Sequence, residues 1–100
     1  GSVSNVMVVR NGAVQTAPEG RRILSGVTRA IVLDLARKEG IPVAESFVTR
    51  EELLAASEVF LTGTTVEVLP VVRVDGHAIG GGSPGPVSQL LSRRFEALVG

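Results

Sequence analysis

Two short segments of this sequence carry residue types that bind an anion. The first is the segment 24–29, LSGVTR, in which a glycine and a threonine stand where a helix is predicted to begin. Backbone N–H groups at a helix start have no intrahelical acceptor and lie at the positive end of the helix dipole, so they favour phosphate. Thr28 would add a hydroxyl donor. The alternative is that Ser25 or Thr28 is simply the N-terminal cap of the helix, which is a common arrangement.

The second segment is Gly63 with Thr64 and Thr65, directly after an apolar stretch. Glycine lets a backbone approach a ligand closely, and consecutive amides can form a concave site for an oxyanion. The alternative interpretation is a turn or kink between two strands, which glycine also favours. Either segment alone is a weak signal for a ligand.

The other candidate side chains give no catalytic group. His77 is the only histidine and follows an Asp-Gly pair, which favours an exposed turn residue over a base or a ligand. Lys38 is the only lysine and stands in the last turn of a predicted helix, where a cation complements the dipole. The absence of cysteine excludes a disulfide, a thiolate nucleophile and a zinc site built on sulfur. We therefore expect no metal ion and no catalytic residue in this sequence.

The composition is that of a single globular domain with an aliphatic core. The length of 100 residues is near the most common domain size, 44% of the residues are hydrophobic, and only three are aromatic. Ten basic and ten acidic residues balance, which indicates neither a nucleic-acid partner nor a membrane partner. The apolar runs are too short to span a bilayer, and no signal-peptide pattern opens the chain. We expect one domain over residues 1–100 and a cytoplasmic location.

The elements that would position the first anion segment are predicted from turn and cap signals. Residues 5–16 are two short stretches around an Asn-Gly pair, which predicts a β-hairpin. From Gly26 onward apolar residues recur at helical spacing up to the basic pair 37–38, and Gly40 stands at the C-terminal cap position. We expect a helix over residues 27–38 that begins at the first anion segment.

The second half is predicted to contain short strands and two helices. The strands are expected at residues 41–48, 59–61 and 66–74. A Thr-x-x-Glu spacing from Thr49 predicts a capped helix, the Asp-Gly pair at 75–76 predicts a hairpin turn, and Pro86 stands at a favoured first helical position. Hairpins at both ends, without a strict βαβ rhythm, predict an α/β fold with a mixed sheet and helices packed outside it.

Several of these segments occur together in a known family. Residues 2–6 (SVSNV), 14–16 (VQT) and 24–29 (LSGVTR), in this order and at these separations, resemble the signature of the class IV aminotransferases, which depend on pyridoxal phosphate. The resemblance continues through 58–65 (EVFLTGTT) and 85–87 (GPV), so it covers essentially the whole chain. The chain is similar to the D-amino-acid and branched-chain enzymes of this family, which have fold type IV.

The resemblance implies a barrel-like mixed sheet with outer helices, in the larger C-terminal domain of a two-domain enzyme. The cofactor-binding residues that it implies are Leu24, Gly26, Val27, Thr28, Gly63 and Thr64. Val27 and Thr28 would form a phosphate-binding helix start, and Leu24 would pack against the cofactor ring. The amides around Thr64 and Thr65 would meet the substrate carboxylate.

The same resemblance places the catalytic groups outside this sequence. The family has a glutamate for the pyridine nitrogen immediately before the position of Gly1, and its cofactor-linked lysine and a phosphate-binding arginine lie further upstream. Lys38 cannot replace that lysine. Met7 also stands where the family has an aromatic residue. The fragment alone is therefore expected to be inactive.

The function that the resemblance implies is amino transfer between an amino acid, either a D-amino acid or a branched-chain one, and a 2-oxo acid. The cofactor would be pyridoxal 5'-phosphate and the intact enzyme a homodimer. One alternative is an aminodeoxychorismate lyase, which shares the scaffold and performs elimination. The other is a non-catalytic module that binds a phosphate ligand or a partner, and an upstream lysine and glutamate at family spacing would exclude it.

Overall fold

The computed structural model describes residues 4–18, 24–63 and 68–99, which form a mixed sheet, a two-stranded ribbon and three α-helices. The strands of the sheet are β1 (Ser4–Arg10), β2 (Ala13–Thr16), β3 (Val43–Glu45), β4 (Glu58–Gly63) and β5 (Val68–Val71). The ribbon pairs β6 (Arg73–Val74) with β7 (His77–Ala78). The helices are α1 (Leu24–Lys38), α2 (Arg50–Ala55) and α3 (Pro86–Val99), and a short 3₁₀ helix covers Gly80–Gly82.

The sheet has the strand order β3-β2-β1-β4-β5. β1 pairs antiparallel with both β2 and β4, β4 pairs antiparallel with β5, and α1 connects β2 to the parallel β3. The α/β class with a mixed sheet and outer helices is thus confirmed. The barrel-like closure is not confirmed, because within the described residues the end strands β3 and β5 do not pair with each other. After β5 the chain forms a separate two-stranded ribbon.

Both predicted hairpin turns are present, and the reason is local. Asn11 and Gly12 adopt positive φ values of 52° and 75°, and Asp75 and Gly76 adopt 49° and 78°. Two consecutive left-handed residues match the twist of the flanking strands, and Asn, Asp and Gly tolerate that conformation best. The turn residues alone therefore predicted both hairpins correctly.

Side chains from the sheet and two helices form the main core. On one face, strand residues meet α1 and α3. The buried residues of this cluster are Met7, Val9, Val14, Val32, Leu33, Ala36, Phe60, Val68, Leu91 and Phe95. The opposite face carries a smaller cluster with Val8, Ala56, Val59 and Ile79. β4 contributes to both clusters, which explains why its sequence is apolar without strict alternation.

Element boundaries differ from the sequence predictions in several places. The stretch predicted as one strand over residues 66–74 forms two strands in its described part, β5 and β6, and these belong to different sheets. α1 begins at Leu24, three residues before the predicted start, so Gly26 lies inside its first turn. β4 continues through Gly63 instead of ending at residue 61, because Ser4 of β1 pairs with Gly63. β3 covers only 43–45 of the predicted 41–48, because β2 offers it only three pairing partners. None of the helices in the described ranges is long and apolar enough to cross a membrane.

Candidate functional site

One edge of the sheet carries the ends of the two strands that precede the anion segments. β2 ends at Thr16 and β4 ends at Gly63, and both run antiparallel to β1. Thr16 pairs with Met7 of β1, and Gly63 pairs with Ser4. We call the edge where β2 and β4 end the carboxyl edge.

The helix α1 begins at this carboxyl edge. In its second turn, Arg29 Nη2 donates a hydrogen bond of 3.0 Å to the carbonyl of Ala17, directly after β2. Beyond the far end of α1, the carbonyl of Pro42 accepts a hydrogen bond of 2.8 Å from the amide of Val14, near the start of β2. The structure therefore brings the first anion segment and Gly63 to the same edge of the sheet. Thr64 and Thr65 lie outside the described residues.

The earlier start of α1 changes which amides are available there. In a helix that begins at Leu24, the amides at positions 24–26 lack intrahelical acceptors, and those of Val27 and Thr28 begin the helical ladder. Neither Ser25 nor Thr28 is the N-terminal cap, because both lie inside α1. Val27 is exposed, whereas the side chain of Thr28 is buried. Leu24 and Gly26 thus lie in the first turn, and their own amides are among those that lack an intrahelical acceptor.

The charge at this helix start suits an anion. The first turn of α1 contains no acidic residue. A carboxylate there would repel a phosphate and compete for the same amides, whereas the helix dipole alone favours negative charge. The described part of the site therefore offers donors without a competing negative side chain in that turn.

Thr62 is a buried residue beside Gly63 that the sequence did not single out. It pairs with Asn5 of β1 and with Val68 of β5, and its side chain is completely buried, at 0% exposure. Its Oγ1 has no hydrogen-bond partner among the residues that the structure describes. A threonine in an apolar strand gives no sequence signal for this, because the state of the hydroxyl depends on neighbours from three strands. The carboxyl edge thus holds an unsatisfied hydroxyl beside Gly63.

An ion pair between the buried Arg29 and the exposed Glu45 fixes the second turn of α1. The Arg29 side chain is buried, and its Nη2 lies 2.8 Å from Oε1 of Glu45 on β3. The hydrogen bond from Arg29 and its positive charge hold the pKa of Glu45 below its ordinary value of 4.5, and Arg37 adds a smaller effect from 3.9 Å. Arg29 therefore ties α1 both to the end of β2 and to β3. Its place in the anion segment was evident from the sequence, but this role was not.

The amino end of β4 meets a different helix start. Glu58, the first residue of β4, is buried, and its carboxylate accepts three hydrogen bonds from the start of α3. Oε2 accepts from the Val87 amide at 3.0 Å, and Oε1 accepts from the Ser88 amide and hydroxyl at 2.7 Å each. Gly85 lies so close that an added Cβ would be 2.2 Å from the Glu58 side chain. The chain itself thus fills the start of α3 with a carboxylate.

Lys38 and His77, which the sequence predicts to be surface groups, lie on the surface. Lys38 is exposed and pairs with Asp34 at 3.1 Å, at the end of α1 that is remote from the carboxyl edge. His77 is exposed in the ribbon, next to the turn at residues 75–76.

Comparison with known proteins gives a consistent result. The family model described as amino-transferase class IV matches residues 1–74. A D-alanine aminotransferase from Bacillus licheniformis is 46% identical over 96 residues, which are 96% of this chain and 34% of that protein. The structure of the Escherichia coli branched-chain amino acid aminotransferase superposes with a TM-score of 0.87 at 39% identity, covering 95% of this chain and 32% of that one.

A second solved structure includes a ligand in its description. The branched-chain aminotransferase from the archaeon Thermoproteus uzoniensis, with norvaline, superposes with a TM-score of 0.85 at 38% identity, covering 96% of this chain and 31% of that one. Another branched-chain amino acid aminotransferase, described with pyridoxamine 5'-phosphate, superposes with a TM-score of 0.84 at 38% identity, covering 93% of this chain and 31% of that one.

The matches cover most of this chain but only part of each relative. This chain spans about a third of the length of the curated relatives that it matches. The family match covers more than half of the chain and includes the first anion segment, with β1, β2, α1 and β4. The chain belongs to the class IV aminotransferase family.

Proposed function

We propose that the carboxyl edge binds the phosphate of pyridoxal 5'-phosphate, and that the full-length protein transfers an amino group between an amino acid and a 2-oxo acid. The observation that carries this proposal is the meeting of the α1 start and the end of β4 at one edge of the sheet. Its relatives include D-alanine and branched-chain aminotransferases, so both substrate classes are candidates.

The described residues at this edge fit a phosphate group. The first turn of α1 presents backbone amides without an acidic neighbour in that turn, and these are the donors that phosphate prefers. Thr62 adds a buried hydroxyl that has no acceptor among the described residues. Both features favour an oxyanion.

Each proposed ligand has a separate task. The start of α1 would hold the phosphate from one side, through the amide of Gly26 and the hydroxyl of Thr28 with Val27 between them, and Gly63 with Thr64 would hold it from the other. Leu24 would pack against the cofactor ring. When bound, the cofactor would supply an electron sink for the carbon that loses or gains the amino group. These residues would anchor and orient it at a distance from that carbon.

The substrate would be met by backbone groups of the segment that follows β4. We assign the amides around Thr64 and Thr65 to the substrate carboxylate, by similarity to the branched-chain enzymes. A backbone amide holds a carboxylate without a counter-charge that would itself need to be desolvated. The segment after β4 would therefore contact both the cofactor phosphate and the substrate carboxylate.

We assign the lysine that links to the cofactor and moves the proton to another part of the full-length protein. Lys38 is paired with Asp34 at the opposite end of α1, so it is not placed for this role. Residues 1–100 would then be the phosphate-binding part of the C-terminal domain of a two-domain enzyme. Phe47 supports a larger domain, since it is 79% exposed beside the partly exposed Val6 in an open groove of about 410 Å³.

The proposal also includes a homodimeric and cytoplasmic enzyme, as the family resemblance implies. Light scattering of the purified full-length protein would measure its mass. Fractionation of the source cells would test its location.

The direct test uses the full-length protein. Titration with pyridoxal 5'-phosphate, followed by absorbance, should show saturable binding. With a second 2-oxo acid present to accept the amino group, formation of the corresponding 2-oxo acid from D-alanine or from L-leucine should then show which substrate class is used. Absence of binding, or of any 2-oxo acid from either amino acid, would contradict the proposal.

The 100-residue chain provides a control for the division of tasks. It should produce no 2-oxo acid, and reduction with borohydride in the presence of the cofactor should leave its mass unchanged. A stable cofactor adduct on Lys38 would show that the assignment of the lysine to another segment is wrong.

A further inference from the structure

We propose that Thr62 is a further ligand of the bound phosphate, with its hydroxyl acting as a hydrogen-bond donor. This inference rests on the proposed function, because it concerns the same cofactor. It adds a residue to which neither the sequence pattern nor the family resemblance gave a role.

The first argument is the state of the hydroxyl. Thr62 is 0% exposed, and its Oγ1 has no hydrogen-bond partner in the described part of the chain. A buried polar group without a partner is costly, and native proteins usually satisfy such a group with a protein atom, an ordered water or a ligand. The hydroxyl of Thr62 therefore requires an acceptor that the described residues do not supply.

The second argument is the position of the side chain. Thr62 directly precedes Gly63, and its side chain lies on the same face of β4 as Phe60, two residues earlier. Phe60 belongs to the core cluster that includes residues of α1. The Thr62 hydroxyl is thus on the α1 side of the sheet, at the edge where that helix begins.

Thr16 shows that a buried threonine on this face of the sheet need not have an unsatisfied hydroxyl. It lies on the same face of the sheet as Phe60, because Thr16 and Phe60 both pair with Met7. It is also buried, at 1% exposure, but its Oγ1 donates a hydrogen bond of 2.9 Å to the carbonyl of Val6. One buried threonine of this face is therefore satisfied within the chain, whereas the threonine beside Gly63 is not. Thr16 is the matched control for any change at Thr62.

A purely structural role makes the opposite prediction. If Thr62 only fills space, Thr62→Val keeps the shape and removes an unsatisfied hydroxyl, which should raise stability or leave it unchanged. Cofactor affinity would then be the same as in the wild type. The two roles are therefore separated by affinity and not by stability.

The experiment compares Thr62→Val, Thr62→Ser and Thr16→Val in the full-length protein. We would measure the dissociation constant of pyridoxal 5'-phosphate and of pyridoxal, which lacks the phosphate, together with the denaturant midpoint of each apoprotein. Thr62→Val should weaken binding of the phosphorylated cofactor about ten- to a hundredfold, the range expected for a charge-assisted hydrogen bond. Binding of pyridoxal should be unchanged, and Thr62→Ser should retain most of the affinity.

The control should behave differently. Thr16→Val should lower the midpoint of the apoprotein and leave both dissociation constants unchanged, since its hydroxyl is used inside the chain. If Thr62→Val does not fold, Thr62→Ala takes its place, with the same expected selectivity for the phosphorylated cofactor.

Two results would overturn the inference while the proposed function stands. In the first, Thr62→Val binds pyridoxal 5'-phosphate as tightly as the wild type. In the second, it loses affinity for pyridoxal and for pyridoxal 5'-phosphate equally, which would place the effect away from the phosphate. If the wild type itself does not bind the cofactor, the proposed function fails, and this inference fails with it.

Discussion

The starts of α1 and α3 lie at opposite ends of β4, and they use the same helix-start chemistry differently. At the amino end of β4, Glu58 places its carboxylate on the amides of Val87 and Ser88 at the start of α3. At the carboxyl end, Thr62 and Gly63 lie at the edge where α1 begins, and the first turn of α1 has no acidic residue. One helix start is thus filled by the chain, and the other suits an external anion.

This difference shows why a helix start cannot be judged from its own residues. Both helices offer free amides and a positive dipole end in their first turn. What separates them is the residue that the neighbouring strand places opposite: a glutamate for α3, a threonine and a glycine near α1. A strand whose two ends lie near two helix starts can therefore stabilise one helix and leave the other for a ligand.

The largest expected effect comes from removing the Glu58 carboxylate from the start of α3. Glu58→Ala would leave the amides of Val87 and Ser88 without their acceptor, and we expect a loss of about 3 kcal/mol in the free energy of unfolding. Glu58→Gln should lose less, because one acceptor oxygen remains. Denaturant titration measures both changes. A loss below about 0.5 kcal/mol for Glu58→Ala would mean that water replaces the carboxylate and that the start of α3 is not specifically filled.

The next effect concerns the start of α1. In the full-length protein, Thr28→Val should weaken binding of pyridoxal 5'-phosphate about ten- to a hundredfold, since it removes one charge-assisted hydrogen bond of roughly 1.5–3 kcal/mol. The buried position of Thr28 should accept valine without loss of folding. Titration of the apoprotein measures the affinity. An unchanged dissociation constant would leave Thr28 with a packing role only.

Gly85→Ala tests how closely α3 is held to Glu58. An added Cβ would lie 2.2 Å from the Glu58 side chain, so we expect the carboxylate to be displaced. The expected cost is about 1–3 kcal/mol, as for other overpacked sites. The same substitution should cost much less in a Glu58→Ala background, because the obstructing side chain is gone. Additive costs in this double-mutant cycle would contradict the proposed contact.

The smallest effect is the pH dependence of the Arg29–Glu45 pair. Because Arg29 lowers the pKa of Glu45, this carboxylate stabilises the fold above its unfolded pKa and loses that contribution as pH falls through the lower folded value. The stability difference between the wild type and Glu45→Gln should thus be largest near neutral pH and shrink below about pH 4. Denaturant midpoints from pH 7 to pH 3 measure it. A difference that does not change with pH would exclude the ion pair as its source.

Features with local causes could be predicted from the sequence. The Asn-Gly and Asp-Gly turns, the capping box between Thr49 and Glu52, and Pro86 at the first position of α3 are all present. In each case, the residues that cause the feature lie within a few positions of one another. Local chemistry was sufficient for these elements.

Features with distant causes could not be predicted. The carboxylate of Glu58 meets α3 across 29 and 30 positions, and Arg29 meets Glu45 across 16. Thr62 is unsatisfied only because of what β1 and β5 place beside it. The sequence singled out the first anion segment and Gly63 as candidates, and the structure added the contacts that distinguish their edge from the opposite one.

The pairing of β1 with β4 also has a consequence for the order of folding. Ser4 pairs with Gly63, so the carboxyl edge forms only when segments from distant parts of the sequence come together. The hairpin at Asn11 needs no such closure, because its two strands are adjacent in the sequence. The entropy of closing the long loop must be overcome before the central pair can form. We therefore expect the hairpin to form early in folding and the binding edge to be among the last parts to assemble.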